Sequence, residues 1–252
     1  MSYGDRDVFI IGCARTPIGS FQGQLSSLTA VDLGSIAIIE AIKRSKVSLA
    51  DITDVYMGHV ITAGCGQNPA RQAALKAGLP VETICSTVNK VCASGMKAIM
   101  LATQQIRLGE AEVVVAGGME SMSNTPFLLA RNALVYGGFF SPDSLKLDGL
   151  TDAQSGRQMG ELTEEVAAEL SIGREAQDDF AIKSYQLSAA AWDVEKGAPL
   201  AKEIVPVKVT VARKEVVVSQ DEEFIKVNFE KLRTLRPVFK KENGTITAGN
   251  VS

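Results

Sequence analysis

The chemistry this sequence offers starts from a cysteine at the head of a helix. Cys92 stands in Val91-Cys92-Ala93-Ser94-Gly95-Met96-Lys97-Ala98, where an apolar pattern of helical period begins. The first N–H groups of a helix have no partners within it, and with the macrodipole they favour an anion at that end. A thiol placed there gains thiolate fraction, and the thiolate is the species that attacks a thioester carbonyl. Ala93, Ser94 and Gly95 are small, so an acyl group can approach the backbone, and the same N–H groups can receive the oxyanion of a tetrahedral intermediate. By spacing alone a cysteine in an apolar segment reads as a small buried hydrophobe, and Cys13, Cys65 and Cys85 keep that reading. No two of the four cysteines have CxxC spacing, which speaks against zinc ligation and dithiol redox chemistry. The sole histidine, His59, lies in Met57-Gly58-His59-Val60 and reads as a core residue of a strand rather than as a base.

The elements that must position Cys92 alternate. Residues 7–13, with the run Val8-Phe9-Ile10-Ile11 closed by Gly12, read as a buried strand. Thr29 caps a helix reaching Lys43, with Asp32 returning a bond to the cap. Strands are predicted over 54–62 and 112–117, and between them helices over 69–77 and 92–108. Strand and helix in alternation predict a mostly parallel sheet covered on both faces. After Gly118 the texture changes: Ser, Asn, Pro and Gly are scattered among apolar residues as far as 160. Helices over 160–170 and 174–196 and strands over 204–211 and 215–219 follow. Such a shift predicts an insertion between strands of the first domain.

The bulk properties admit an enzyme of this kind and disfavour other classes. The chain has 252 residues, 46% hydrophobic and 22% charged, with a net charge of −3, enough for a sizeable core. That charge balance gives no footprint for nucleic acid or a membrane surface. No apolar run approaches membrane-spanning length. The start, Met1 to Asp7, is neither a charged-then-apolar signal nor an Arg-rich transit peptide, and the cysteine usage fits a reduced compartment. The expected localisation is cytoplasmic, with a mitochondrial one as the alternative.

Five longer words sharpen the reading: Ala14-Arg15-Thr16-Pro17-Ile18-Gly19, Gly66-Gln67-Asn68-Pro69-Ala70-Arg71-Gln72-Ala73, Asn89-Lys90-Val91-Cys92-Ala93-Ser94-Gly95, Gly117-Gly118-Met119-Glu120-Ser121-Met122-Ser123 and Asn243-Gly244-Thr245-Ile246-Thr247-Ala248-Gly249-Asn250. In this order they resemble the thiolase family along the whole chain, most closely its short-chain acetoacetyl-CoA type. The resemblance implies an α/β fold of two similar halves with a loop domain inserted in the first. It places this chain in the N-terminal half, with the C-terminal half missing. Residues 1–118 and 243–252 then form the incomplete α/β domain, and 119–242 the inserted CoA-binding loop domain.

The same resemblance implies that Cys92 takes the acetyl group as a thioester, with acetyl-CoA and acetoacetyl-CoA as substrates and no prosthetic group. Lys226, Val227, Asn228 and Lys231 fall on a segment that touches the nucleotide end of coenzyme A, and Tyr185 and Ser252 on further CoA-side positions. Tyr185, with the carbonyls of Ala248, Gly249 and Val251, falls on a potassium ion site. A full-length member is a homo-oligomer, tetramer or dimer, with no nucleic-acid or membrane partner. Two departures matter. Family members commonly carry His-Met-Gly where this chain has Gln158-Met159-Gly160, and glutamine does not titrate near neutrality. The Gly-His-Pro histidine, the Asn-Glu-Ala-Phe asparagine and the second cysteine of the family's other half do not occur in these 252 residues. Little turnover is therefore expected of this chain alone. The competing readings are a longer-chain 3-ketoacyl-CoA thiolase and a non-catalytic product that binds full-length subunits.

Overall fold

The computed structural model describes residues 7–132, 136–195, 197–211 and 213–251. The described residues fall into two compact units, Met1–Gly149 with Glu203–Gln220, and Leu150–Lys202 with Asp221–Ser252.

The first unit is built on three parallel strands, β1 (Ile52–Gly58), β2 (Ile84–Val88) and β3 (Val113–Gly118), in the order β2-β1-β3. Tyr56 sits opposite Ser86 on one side and Ala116 on the other, so β1 is central. Side chains alternate between the faces of a strand. Val55 and Met57 point to one face, where Ile38 and Ile42 of α1 (Ala30–Ser45) and Ala70, Ala73 and Ala74 of α2 (Pro69–Lys76) complete a buried cluster. Gly58 points to the other face, against the start of α3 (Ser94–Leu108). Helices therefore cover both faces, as the alternation of elements predicts. Thr29 caps α1 as expected: its hydroxyl accepts from the Asp32 N–H, and the Asp32 carboxylate accepts from the Thr29 N–H at 2.9 Å. α3 is apolar on more than one side. Ala98 and Ala102 are buried, while Met96, Ile99, Met100 and Leu108 are exposed.

Residues 7–13 do not form the predicted strand. They run along α1 instead of pairing in the sheet: the Arg44 guanidinium of α1 donates to the Cys13 carbonyl at 3.0 Å, and Phe9, Ile10 and Ile11 are exposed. A β-branched run shows extended backbone but not which ladder it joins. The strands predicted at 204–211 and 215–219 form an antiparallel hairpin, β4 (Val207–Val211) and β5 (Lys214–Val218). Its Val207, Val209 and Val218 are buried with Leu25, and Arg15 pairs with Glu203 at 2.7 Å.

The chain passes between the compact units after Gly149, Lys202 and Gln220. Residues 119–149 belong with the first unit because Ser121 and Asn124 both donate to the Leu28 carbonyl at 2.9 Å, and Gly149 lies against Ile61. The hairpin belongs there too. Residues 243–251 belong with the second unit, where Thr245 and Ile246 bond to a helix. The change of texture after Gly118 coincides with the end of β3.

That second unit is organised around a buried carboxylate. Glu164 of α4 (Met159–Glu169) accepts from the Thr245 N–H (2.9 and 3.0 Å), the Thr245 hydroxyl (3.0 Å) and the Ile246 N–H (2.9 Å). Burial alone would raise its pKa, but the N–H donors of Ile246 and Thr245 outweigh it and hold the group below the usual carboxylate range. The folded value is thus depressed, so these bonds stabilise fully above the unfolded value and are lost as pH falls through the folded one. Glu164→Gln is expected to cost about 2–3 kcal/mol at neutral pH. Urea unfolding at pH 7 and pH 4 checks this: the gap between wild type and variant should narrow at the lower pH.

Candidate active site

Cys92 lies on the turn between β2 and α3, and that turn is strained. The first helical residue is Ser94, with Ala93 as its N-cap, so the thiol precedes α3 by two residues instead of standing in its first turn. Val91 has φ of 51°, a left-handed conformation that costs a β-branched residue on the order of 1–3 kcal/mol. Local bonds impose it. The Ser94 hydroxyl accepts from the Lys90 N–H at 2.8 Å and donates to the Val91 carbonyl at 2.6 Å. The Asn89 side chain accepts from the Val91 N–H at 2.9 Å and donates to the Val60 carbonyl at 3.1 Å. Backbone strain held by surrounding bonds is a feature of functional turns.

Three glycines seat the head of α3 on the sheet. A β-carbon on Gly58 would lie 2.5 Å from the Gly95 nitrogen and 2.5 Å from the Ser94 carbonyl carbon, and one on Gly118 would lie 3.3 Å from the Gly95 α-carbon. The close approach sets the start of α3, which follows Cys92, beside the carboxyl end of β1, at the edge of a parallel sheet where ligands bind.

The four thiols differ in setting. Cys92 and Cys13 are exposed, while Cys65 and Cys85 are half-buried. Burial pushes the Cys65 thiol up, and the Glu120 charge adds to it. Burial also pushes Cys85 up, against the opposing influence of Arg71. Both stay protonated more readily than an ordinary thiol, in keeping with a packing role.

His59 is buried, as a strand residue was expected to be, but it is not an inert one. Its Nε2 lies 3.3 Å from the Glu120 carboxylate, and its Nδ1 has no hydrogen-bond partner among the described residues. Glu120 also accepts from the Val60 N–H at 2.8 Å and the Ile61 N–H at 3.4 Å. In the sequence Glu120 stands within the Gly117–Ser123 motif with nothing to mark a task for it. The signal that could have found it is an acid directly after a Gly-Gly strand end.

The remaining candidate residues all lie in the second unit, apart from Ser252, which is outside the described residues. Tyr185 is half-buried on α5 (Arg174–Ala191), and burial, then the Glu223 charge, raise its pKa. Lys226 ends the short helix α6 (Glu223–Lys226) and pairs with the buried Glu222 carboxylate. Val227 follows it, and Asn228 caps α7 (Phe229–Leu232), accepting from the Lys231 N–H at 3.0 Å. Ala248, Gly249 and Val251 occupy a turn whose Val251 N–H donates to the Thr247 carbonyl at 3.0 Å. Asn250 ties this turn to α5 through Asp178 at 2.9 Å. A β-carbon on Gly249 would lie 2.8 Å from Leu232, so the turn also packs against α7. The structure thus brings the 248–251 turn together with the helices that carry Tyr185 and Lys231. The Gln158 main-chain N–H donates to the Glu161 carboxylate at 2.8 Å at the start of α4.

A family model described as "Thiolase, N-terminal domain" matches residues 8–252. Among curated proteins, the mitochondrial acetyl-CoA acetyltransferase of Danio rerio is 54% identical over 247 residues, covering 98% of this chain and 58% of the relative. The human protein of the same name is 50% identical over 248 residues, with 98% and 57% covered. A solved structure, the Acat5 thiolase from Ascaris suum in complex with coenzyme A, superposes with a TM-score of 0.90 at 43% identity, covering 96% of this chain and 62% of that one. The chain thus spans less than two thirds of the length of each of these proteins.

Proposed function

We propose, from the premise that this chain belongs to the thiolase family, that Cys92 is the acyl carrier of an acetyl-CoA C-acetyltransferase. The observation behind this is an exposed thiol on a strained strand-to-helix turn, on a helix seated by glycines. In the cleavage direction the Cys92 thiolate attacks the 3-keto carbon of acetoacetyl-CoA. The bond between C2 and C3 breaks, and its electron pair leaves on the carbon that becomes the methyl of acetyl-CoA after protonation. The thiol of free CoA then removes the acetyl group from Cys92. In synthesis the acetylated cysteine receives the carbanion of a second acetyl-CoA and the thiolate is regenerated.

The second unit supplies the grip on coenzyme A in this reading. Lys231 offers a point charge for phosphate, and Asn228, Val227 and Tyr185 line the approach. Lys226 reaches a phosphate only in competition with Glu222. Ser252 extends the same grip. The Tyr185 hydroxyl and the carbonyls of Ala248, Gly249 and Val251 would supply an all-oxygen donor set of the kind potassium takes. Its bound charge would hold the 248–251 turn against α5. Association into a tetramer or dimer belongs to this reading as well. The names of the relatives favour the mitochondrial compartment over the cytoplasm.

The test is incubation with acetyl-CoA at pH 7.5 followed by intact-mass measurement and peptide mapping. A single acetyl group on Cys92 is expected. Equal labelling of Cys13 or of lysines would defeat the assignment.

A further inference from the structure

We propose that Glu120, acting through His59, is a positioning residue for the turn that carries Cys92. The Glu120 carboxylate collects donors from three consecutive residues, the His59 ring and the N–H groups of Val60 and Ile61. Those residues in turn hold the turn. The His59 N–H donates to the Val88 carbonyl at the end of β2, at 3.0 Å. The Val60 carbonyl accepts from Asn89, whose side chain also accepts from the N–H of Val91. One carboxylate after β3 therefore fixes the ends of β1 and β2 and, through Asn89, the residue whose left-handed φ presents the thiol.

Electrostatics match the geometry. Burial alone would raise the Glu120 pKa, but the bonds from His59 and from the Val60 N–H hold it below the usual range. It is thus the ionised form that the assembly favours, and ionised acceptors make the stronger bonds. The cavity beside the His59 ring, about 680 Å³, is also lined by Asp32, Lys76 and Cys65. Asp32 and Lys76 are paired with each other, and Glu120 is the charge in contact with His59. The functional meaning of this relay rests on Cys92 being the acyl carrier. Its geometry does not.

Two measurements separate those claims: amide hydrogen exchange at Val91 and Ala93, and the iodoacetamide rate at Cys92 relative to the exposed Cys13 of the same molecule. In Glu120→Gln the NH2 replaces either the oxygen that accepts from the Val60 N–H or the one that faces both the His59 ring and the Ile61 N–H, so at least one donor loses its acceptor. Exchange at Val91 and Ala93 is expected to rise about tenfold, with the amides of α1 unchanged, and the Cys92 to Cys13 rate ratio to fall about fivefold. His59→Leu should do the same. His59→Gln, whose amide can still donate to Glu120, should keep both readouts within about twofold of wild type. A role in global stability alone would speed exchange in α1 as well and treat the two histidine variants by their stability. Folded Glu120→Gln with unchanged exchange at Val91, or histidine variants that behave alike, would overturn the proposal. A wild type that labels Cys13 in preference would defeat the acyl-carrier reading while exchange at Val91 still decides this one.

Discussion

Replacing Cys92 with serine is expected to lower acetyl incorporation from acetyl-CoA by about a thousandfold or more, in the range seen when a nucleophile is removed. An alkyl hydroxyl ionises far less readily than a thiol, and the anion is the attacking species. The fold barely changes, because the exchange is confined to one atom of an exposed side chain. Stability should therefore stay within about 0.5 kcal/mol of wild type, the usual range for a surface substitution. Cys13→Ser supplies the contrast. That thiol is also exposed, but it stands in an extended segment with no helix start behind it. Its loss should leave incorporation unchanged. Time courses of acetylation by mass spectrometry, beside thermal unfolding, separate the chemical effect from a structural one. If both variants lose incorporation equally, the thiol is not acting as the turn geometry requires.

The parts of this fold that were legible in the sequence are those fixed by local physics. Thr29 and Asp32 announce the start of α1 because the capping bonds span three residues. Pro69 and the alanines after it announce α2, with Asn68 supplying the cap. The second strand, Ile84-Cys85-Ser86-Thr87-Val88, was missed. It is five residues long, half-buried, and has polar residues at its centre, so neither alternation nor an apolar run marks it. The extended run at 7–13 was misread for the opposite reason: its composition is that of a strand, and its partner is a matter of tertiary structure.

The candidate site shows the same divide. Cys92 stood out through its motif, and its place near the head of α3 follows from helical period. The strain at Val91 could not be read, since valine disfavours a positive φ and only the bonds from Asn89 and Ser94 hold it there. Glu164 and Glu120 were equally silent. Glu164 finds the N–H groups of Thr245 and Ile246 about eighty residues away, and Glu120 those of Val60 and Ile61 about sixty away, and no periodicity encodes such pairings.

Gly58→Ala should be strongly disruptive although it adds a single carbon to the first unit. The added carbon would lie 2.5 Å from the backbone nitrogen of Gly95 and 2.5 Å from the carbonyl carbon of Ser94. Both are main-chain atoms inside the first turn of α3, so no side-chain rotation relieves the overlap. Either β1 or the helix must shift. Overpacking of this kind costs about 3 kcal/mol. For a chain of this size that corresponds to a fall of roughly 6–12 °C in the unfolding midpoint. The shift has a chemical consequence, because the Ser94 hydroxyl is what closes the turn around Val91. Moving Ser94 loosens the bonds to Lys90 and Val91 and lets Val91 relax toward ordinary φ, carrying the thiol away from its present position. Acetyl incorporation at Cys92 should therefore drop at temperatures where the protein is still folded. Gly117→Ala provides the control one strand away. Its added carbon would meet the Met57 sulfur at 3.5 Å, an ordinary contact with a flexible side chain. That variant should unfold within about 2 °C of wild type and acetylate normally. If Gly58→Ala and Gly117→Ala are indistinguishable in both measurements, the glycine seat does not set the position of Cys92.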